Sequence, residues 1–216
     1  MKLLGLFWAA ALVLYAGPAS AAGVTVAGGA GVFQYYSFDP DFPAGRSQAG
    51  FAAKLESRYE LGNSAFGLDV RYRRYDADTY EAGGEGGARY YFHPEPARPY
   101  VAPVLGFRAA AYRGRTCRVA SVGARVGGLL TAEGAPVTLD VFAAYRGLFN
   151  FDRDERRPAF TSELAAGATC DWFVTAHLGF HAEGSLLWPG FFAEKHGKLY
   201  GPGVAPFIVV GPALSF

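Results

Sequence analysis

The stretch from residue 51 to residue 61, "FAAKLESRYEL", alternates without a break. Phe51, Ala53, Leu55, Tyr59 and Leu61 form one series, and Lys54, Glu56, Arg58 and Glu60 form the other. Side chains of a strand point to opposite faces with period two, so this segment has one apolar face and one charged face. Two kinds of barrel satisfy such a strand. In a soluble barrel the apolar series packs inside and the charges meet bulk water. In a barrel set in lipid the apolar series faces outward and the charges line the lumen. Alternation alone fits both.

The same design recurs along the chain. "AFGLDVRYR" (65–73) sets Phe66, Leu68, Val70 and Tyr72 against Asp69, Arg71 and Arg73. "GGARYYFH" (86–93) sets Ala88, Tyr90 and Phe92 against Arg89, Tyr91 and His93. In "VTLDVFAAYRGLF" (137–149) Val137, Leu139, Val141, Ala143 and Tyr145 oppose Thr138, Asp140, Ala144 and Arg146, with Phe142 as the exception. In "TAHLGFHAEGSL" (175–186) Leu178, Phe180, Ala182 and Leu186 oppose His177, His181, Glu183 and Ser185. Ten strands are predicted, over 24–36, 49–61, 65–75, 81–93, 99–112, 119–131, 137–149, 160–170, 174–187 and 203–216. Eight is the second reading, because 24–36 is glycine-rich and weakly patterned.

The connections alternate in length. Short ones, at 62–64, 94–98, 133–136 and 171–173, interleave with longer ones at 37–48, 76–80, 113–118, 150–159 and 188–202. Short turns on one side and long loops on the other mark an outer-membrane barrel, whose short turns face the periplasm. Composition agrees with an all-β chain: 29 glycines and 16% aromatics in 216 residues, 18% charged, and no long amphipathic helical pattern. Tyr35, Tyr59, Tyr72, Tyr145, Phe149, Trp172 and Trp188 fall near strand ends, where aromatic girdles belong.

The one continuous apolar run is N-terminal. "MKLLGLFWAAALVLYAGPASA" has Lys2, an apolar core from Leu3 to Tyr15, a Gly17-Pro18 break and the small-x-small end Ala19-Ser20-Ala21. This reads as a secretory signal peptide over 1–21, leaving a barrel domain over 22–216. Its removal takes Lys2 alone among the charges, so 19 basic and 19 acidic residues remain. That balance, without a basic patch, argues against nucleic acid as a partner.

The stretch "ARYYFHPEPARPYVAPVLGFRA" (88–109) resembles the strand–turn–strand centre of OmpA/OmpX-type small outer-membrane barrels, and "VGARVGGLLTAEGAPVTLDVFAAYRG" (122–147) is similar to their next hairpin. The terminal "GPALSF" resembles the targeting end of such barrels, which implies the barrel-assembly machinery as a partner through the strand ending in Phe216. The resemblance implies fold rather than activity. The family pattern has eight strands, whereas here 160–216 has room for three after the first seven. Pro103, Pro206 and Pro212 sit awkwardly inside predicted strands, because each lacks a ladder donor.

Set in lipid, the barrel turns its polar series inward. The predicted lumen network is Lys54, Glu56, Arg58, Glu60, Asp69, Arg71, Glu85, Arg89, Arg108, Arg125, Asp140, Arg146, Glu163, His177, His181 and Glu183. Its mixed signs suggest salt bridges between strands and a plugged rather than open interior. His177 and His181 with Glu183 make a poor metal site, because strand positions four apart lie more than ~10 Å apart. No cofactor motif is present.

An enzymatic barrel would need a His, a Ser and an acid on the lipid face, or catalytic groups at the outer rim. No His-x-Ser occurs, and the rim acids Asp76, Asp78, Asp152, Asp154 and Glu155 have only His196 for company. A non-enzymatic role, structural or through the surface, is therefore expected. A narrow channel is the second reading and a lipid-modifying hydrolase the third. The loops "SFDPDFPAGRSQ" and "WPGFFAEKHGKLYGPG" offer aromatics to lipopolysaccharide or a partner. Oligomeric state is not encoded legibly. Cys117, in the loop after the fifth strand, and Cys170, beside the "DWF" turn, are predicted at opposite barrel ends, too far apart for a disulfide.

Overall fold

The computed structural model describes residues 22–37, 47–74, 80–93, 96–112, 115–131, 136–151, 160–189 and 203–216. The predicted signal peptide, most of the long loops, and Asp76, Asp78, Asp152, Asp154, Glu155 and His196 lie outside them. Ten antiparallel strands close into one barrel. They are β1 (Ala22–Ser37), β2 (Ser47–Leu61), β3 (Ser64–Arg74), β4 (Tyr80–Tyr91), β5 (Ala97–Tyr112), β6 (Arg115–Thr131), β7 (Val137–Asn150), β8 (Phe160–Phe173), β9 (Leu178–Pro189) and β10 (Gly203–Ser215). Each strand pairs with its sequence neighbours, and β10 returns to β1. Val24 and Phe216 exchange both backbone bonds, at 3.1 and 2.9 Å, at the end where the chain closes on itself.

Orientation of the faces answers the question raised by residues 51–61. Large apolar side chains stand on the outside, with Leu105 and Val32 each 65% exposed. Charged ones stand inside, with Arg146 and Asp140 each 2% exposed. A soluble lipocalin-like barrel has the reverse arrangement and is excluded. Such a continuous apolar exterior is stable only against hydrocarbon.

Local chemistry sets the connections. Leu61 pairs with Ser64, so Gly62 and Asn63 alone make the β2–β3 turn, and Gly62 adopts φ 56°, where a Cβ would be strained. The β8–β9 connection differs from expectation. It runs over 174–177, not 171–173, because the Thr175 hydroxyl accepts hydrogen bonds from the backbone N–H of His177 (3.2 Å) and Leu178 (2.9 Å). Asp171 thereby joins β8, and His177 leaves the strand.

The β5–β6 connection also shrinks. Tyr112 pairs with Arg115, so Cys117 belongs to β6 rather than to an outer loop. It is buried and its thiol donates to Asn150 Oδ1 at 3.4 Å. Cys170 lies within β8, opposite Leu139, and both cysteines are free thiols.

The prolines find a common solution. Opposite Pro103 the β4–β5 ladder skips from Gly87↔Val104 to Tyr90↔Val101 without losing register. The β1–β10 ladder skips opposite Pro212, between Ala27↔Ala213 and Ala30↔Val210. It skips again opposite Pro206, between Phe33↔Phe207 and Tyr36↔Val204. Each proline thus breaks one ladder and leaves the other whole, as its single missing donor requires.

Candidate functional site

Register places like charges side by side. Glu56 stands opposite Asp69, which stands opposite Glu85, so β2, β3 and β4 form a row of acids. One level along, Lys54 stands opposite Arg71. Like charges directly opposite repel, so each row is stable only if other levels or the far wall neutralise it. Both do. Lys54 Nζ lies 2.7 Å from Glu56 and 3.3 Å from Asp69, and Arg71 lies 2.7 Å from Asp69.

The far wall supplies the rest. Lys54 of β2 meets Glu183 of β9, and Arg146 of β7 clasps Glu85 of β4 through two guanidinium nitrogens. Arg108 of β5 makes a two-pronged contact with Glu163 of β8 at 2.9 and 2.8 Å. Arg89 of β4 reaches Asp140 of β7 at 3.0 Å, and Arg58 of β2 lies 3.8 Å from Asp171 of β8. These bridges cross the lumen at successive levels. Planar guanidinium forks match carboxylates in this way, which explains the single lysine among many arginines.

Around Asp140 the network is closed. Arg125 donates from Nε to Tyr100 OH at 2.9 Å and from a terminal nitrogen to Asp140 Oδ2 at 2.9 Å, while Tyr100 donates to Asp140 Oδ1 at 2.8 Å. The Arg125 guanidinium carbon lies 3.7 Å from the Phe142 ring centroid. Below it, Ala65, Tyr91, Tyr100, Ala102 and Leu129 form an apolar layer. Arg98 stacks 3.8 Å from the Tyr91 ring and bonds Glu60 Oε2 at 2.9 Å and the Gly62 carbonyl at 2.8 Å.

Of the predicted network, all but His177 face inward. His177 is exposed in the 174–177 turn, where its Nδ1 lies 2.9 Å from the Ser215 carbonyl, because the turn forms three residues later than its sequence suggests. Arg73, Glu81, Arg98 and Asp171 belong to the lumen as well. The period of β3 and β4 carries Arg73 and Glu81 inward; Arg98 and Asp171 sat in stretches read as turns. Among the described residues the ion-paired interior then holds nine cations (Lys54, Arg58, Arg71, Arg73, Arg89, Arg98, Arg108, Arg125, Arg146) and nine acids (Glu56, Glu60, Asp69, Glu81, Glu85, Asp140, Glu163, Asp171, Glu183). Among the described residues these charges balance.

Little space remains between them. One cavity of about 30 Å³ touches Arg71, Arg73, Glu81 and Arg108, and another of about 40 Å³ touches Glu56, Arg89 and Arg125. Each is the size of one or two waters. His181 Nδ1 lies 2.7 Å from Asp171 Oδ1, and its buried Nε2 has no hydrogen-bond partner. Ser185, on the same face of β9, donates from Oγ to Glu183 at 3.2 Å. Among the described residues no group of His, Cys, Asp and Glu is arranged to hold a metal.

No family model matches the chain, and no curated protein matches it. Among solved structures it is similar to Neisserial surface protein A at 15% identity and TM-score 0.41, covering 93% of this chain and 100% of that one. It is similar to LpxR from Salmonella typhimurium at 12% identity and TM-score 0.43, covering 91% and 99%. A third is an anion-selective porin from Comamonas acidovorans, at 11% identity and TM-score 0.37, covering 79% and 55%. The similarity is one of architecture, that of the outer-membrane barrels which residues 88–150 resemble.

Proposed function

We propose that this chain is an integral barrel of the bacterial outer membrane with a filled lumen and no catalytic role, acting structurally or through its outer surface. The observation that carries this is the set of cross-lumen bridges, Lys54–Glu183, Glu85–Arg146, Arg108–Glu163 and Arg89–Asp140, at successive heights of the barrel. Opposite walls that touch through paired side chains leave no continuous passage for a hydrated solute. The apolar exterior makes membrane lipid the surrounding partner, with lipopolysaccharide at the outer rim. The strand ending in Phe216 is the segment expected to engage the assembly machinery. Proteoliposomes of the refolded chain test the reading: in an iso-osmotic pentose they should swell no faster than empty liposomes, whereas porin-like swelling would refute the filled lumen.

A narrow channel is the second reading. It is favoured by the two cavities, which share Asp69 and Glu85 as lining residues and so adjoin along the axis. A file of waters through them would pass ions without passing sugars.

A further inference from the structure

Among the described residues all nine acids point into the lumen, whereas two arginines stand on the outer face. Arg74 follows the buried Arg73, and Arg118 lies between the buried Cys117 and Val119. Alternation therefore turns both side chains outward, and both are exposed. They share one end of the barrel. Arg74 is the last residue of β3, and Arg118 follows the β5–β6 connection, at the end opposite the 62–63 and 174–177 turns. Beyond Arg118 the outward series of β6, from Ala120 to Leu130, is uncharged. At ~3.3 Å per residue and a tilt of ~40° it spans ~25 Å, the height of an apolar band. Arg118 thus sits at the outer edge of that band. An arginine facing lipid is tolerated at the edge and costly at the midplane.

Register joins the two arginines across one trough. Arg74 stands opposite Tyr80 and Tyr72 opposite Ala82; Ala82 stands opposite Ala109, and Ala109 opposite Arg118. With Ala111, opposite Tyr80, these alanines make a low floor on β4 and β5. Stacked aromatics wall it on both sides, Tyr72–Tyr80 at 6.3 Å between ring centroids and Phe107–Phe151 at 6.5 Å. Three strand spacings and an offset of two residues set the Arg74 and Arg118 backbones roughly 15 Å apart.

Given the outer-membrane reading above, we infer that this trough docks the phosphorylated glycolipid of the outer leaflet, lipopolysaccharide, through the phosphates of its lipid A headgroup. Charge complementarity selects the occupant. A planar guanidinium fork pairs with phosphate through two parallel hydrogen bonds. Two such forks, each on a long side chain at either side of one trough, match a single headgroup that carries two phosphates. A phospholipid with one phosphate engages only one of them. The alanine floor leaves room for acyl chains below the headgroup, between the two aromatic walls.

The test is to refold the chain in a neutral detergent and titrate it with bisphosphorylated lipid A, monophosphorylated lipid A or phosphatidylglycerol. Native mass spectrometry, with EDTA present, counts the lipids bound. One copy of bisphosphorylated lipid A is expected, bound at least tenfold tighter than either other lipid. Arg74→Gln/Arg118→Gln should lower that affinity at least tenfold, and each single variant at least threefold. Neither arginine takes part in the lumen bridges, and the mobility of the unheated barrel on a denaturing gel reports that each variant has refolded. Equal binding by the natural chain and the double variant would overturn the site, as would phosphatidylglycerol bound as tightly as bisphosphorylated lipid A. Both results concern the trough alone; the outer-membrane reading falls instead if the natural chain fails to insert into phospholipid vesicles.

Discussion

Asp140 shows what a single residue contributes in this barrel. It is 2% exposed and accepts from Arg125 and Tyr100, with Arg89 3.0 Å away. A buried carboxylate held this way is stable only while its partners remain, and removing one partner of a buried pair costs about 3–5 kcal/mol. Arg125→Leu is therefore expected to lower the urea midpoint of the refolded barrel by a loss of about 3 kcal/mol, the lower end because Arg89 stays beside Asp140. An unchanged midpoint would mean that Arg125 faces open water. The cysteines give a second expectation. With Cys117 buried inside and Cys170 on the lipid face of β8, neither should react with a membrane-impermeant maleimide in the folded barrel, and both should react in urea. Labelling of Cys117 before unfolding would place it at an open mouth. At this scale the sequence was informative about direction and silent about partners. Period two turns Arg125 and Asp140 inward, but that they meet depends on where β6 lies against β7, which no local pattern records.

Elements were legible where alternation ran long. β2, β3 and β7 lie within two residues of expectation, because a slip of one would turn a charged series into the lipid. The ends were less so. "DWF" has the composition of a turn, yet Asp171 lies in the lumen near Arg58, and the strand continues until Thr175 can cap the reversal with its hydroxyl. One misplaced turn accounts for both the loss of His177 from the lumen and the gain of Asp171. Turn placement also fixes the orientation. The turns at 62–63 and 174–177 share an end with Val24 and Phe216, and the connections β1–β2, β7–β8 and β9–β10, the longest of the barrel, share the other with the short β5–β6 connection. An epitope inserted within 190–202 should be reached by antibody on intact cells, whereas one inserted after Thr175 should be reached only after permeabilisation. The opposite pattern would invert the barrel in the membrane. The prolines were visible as anomalies, and their resolution required the pairing of both neighbouring strands.

For the molecule as a whole, the organising fact is inversion: the apolar series meets hydrocarbon and the charged series meets itself. Ten strands enclose an interior narrow enough for side chains to fill, and among the described residues nine cations are balanced there by nine acids. Rows of one sign repel more strongly in a water-poor interior than in bulk water, and here they are neutralised because the far wall is within reach of a guanidinium. Fold and inward faces follow from the sequence because both are statements about period. Closure across the lumen does not, since it joins residues as distant as Lys54 and Glu183. A planar-bilayer recording of the refolded chain tests that closure: a filled lumen leaves the membrane silent at every applied voltage short of bilayer rupture, whereas stable, stepwise unit conductance would reveal a continuous path through the barrel.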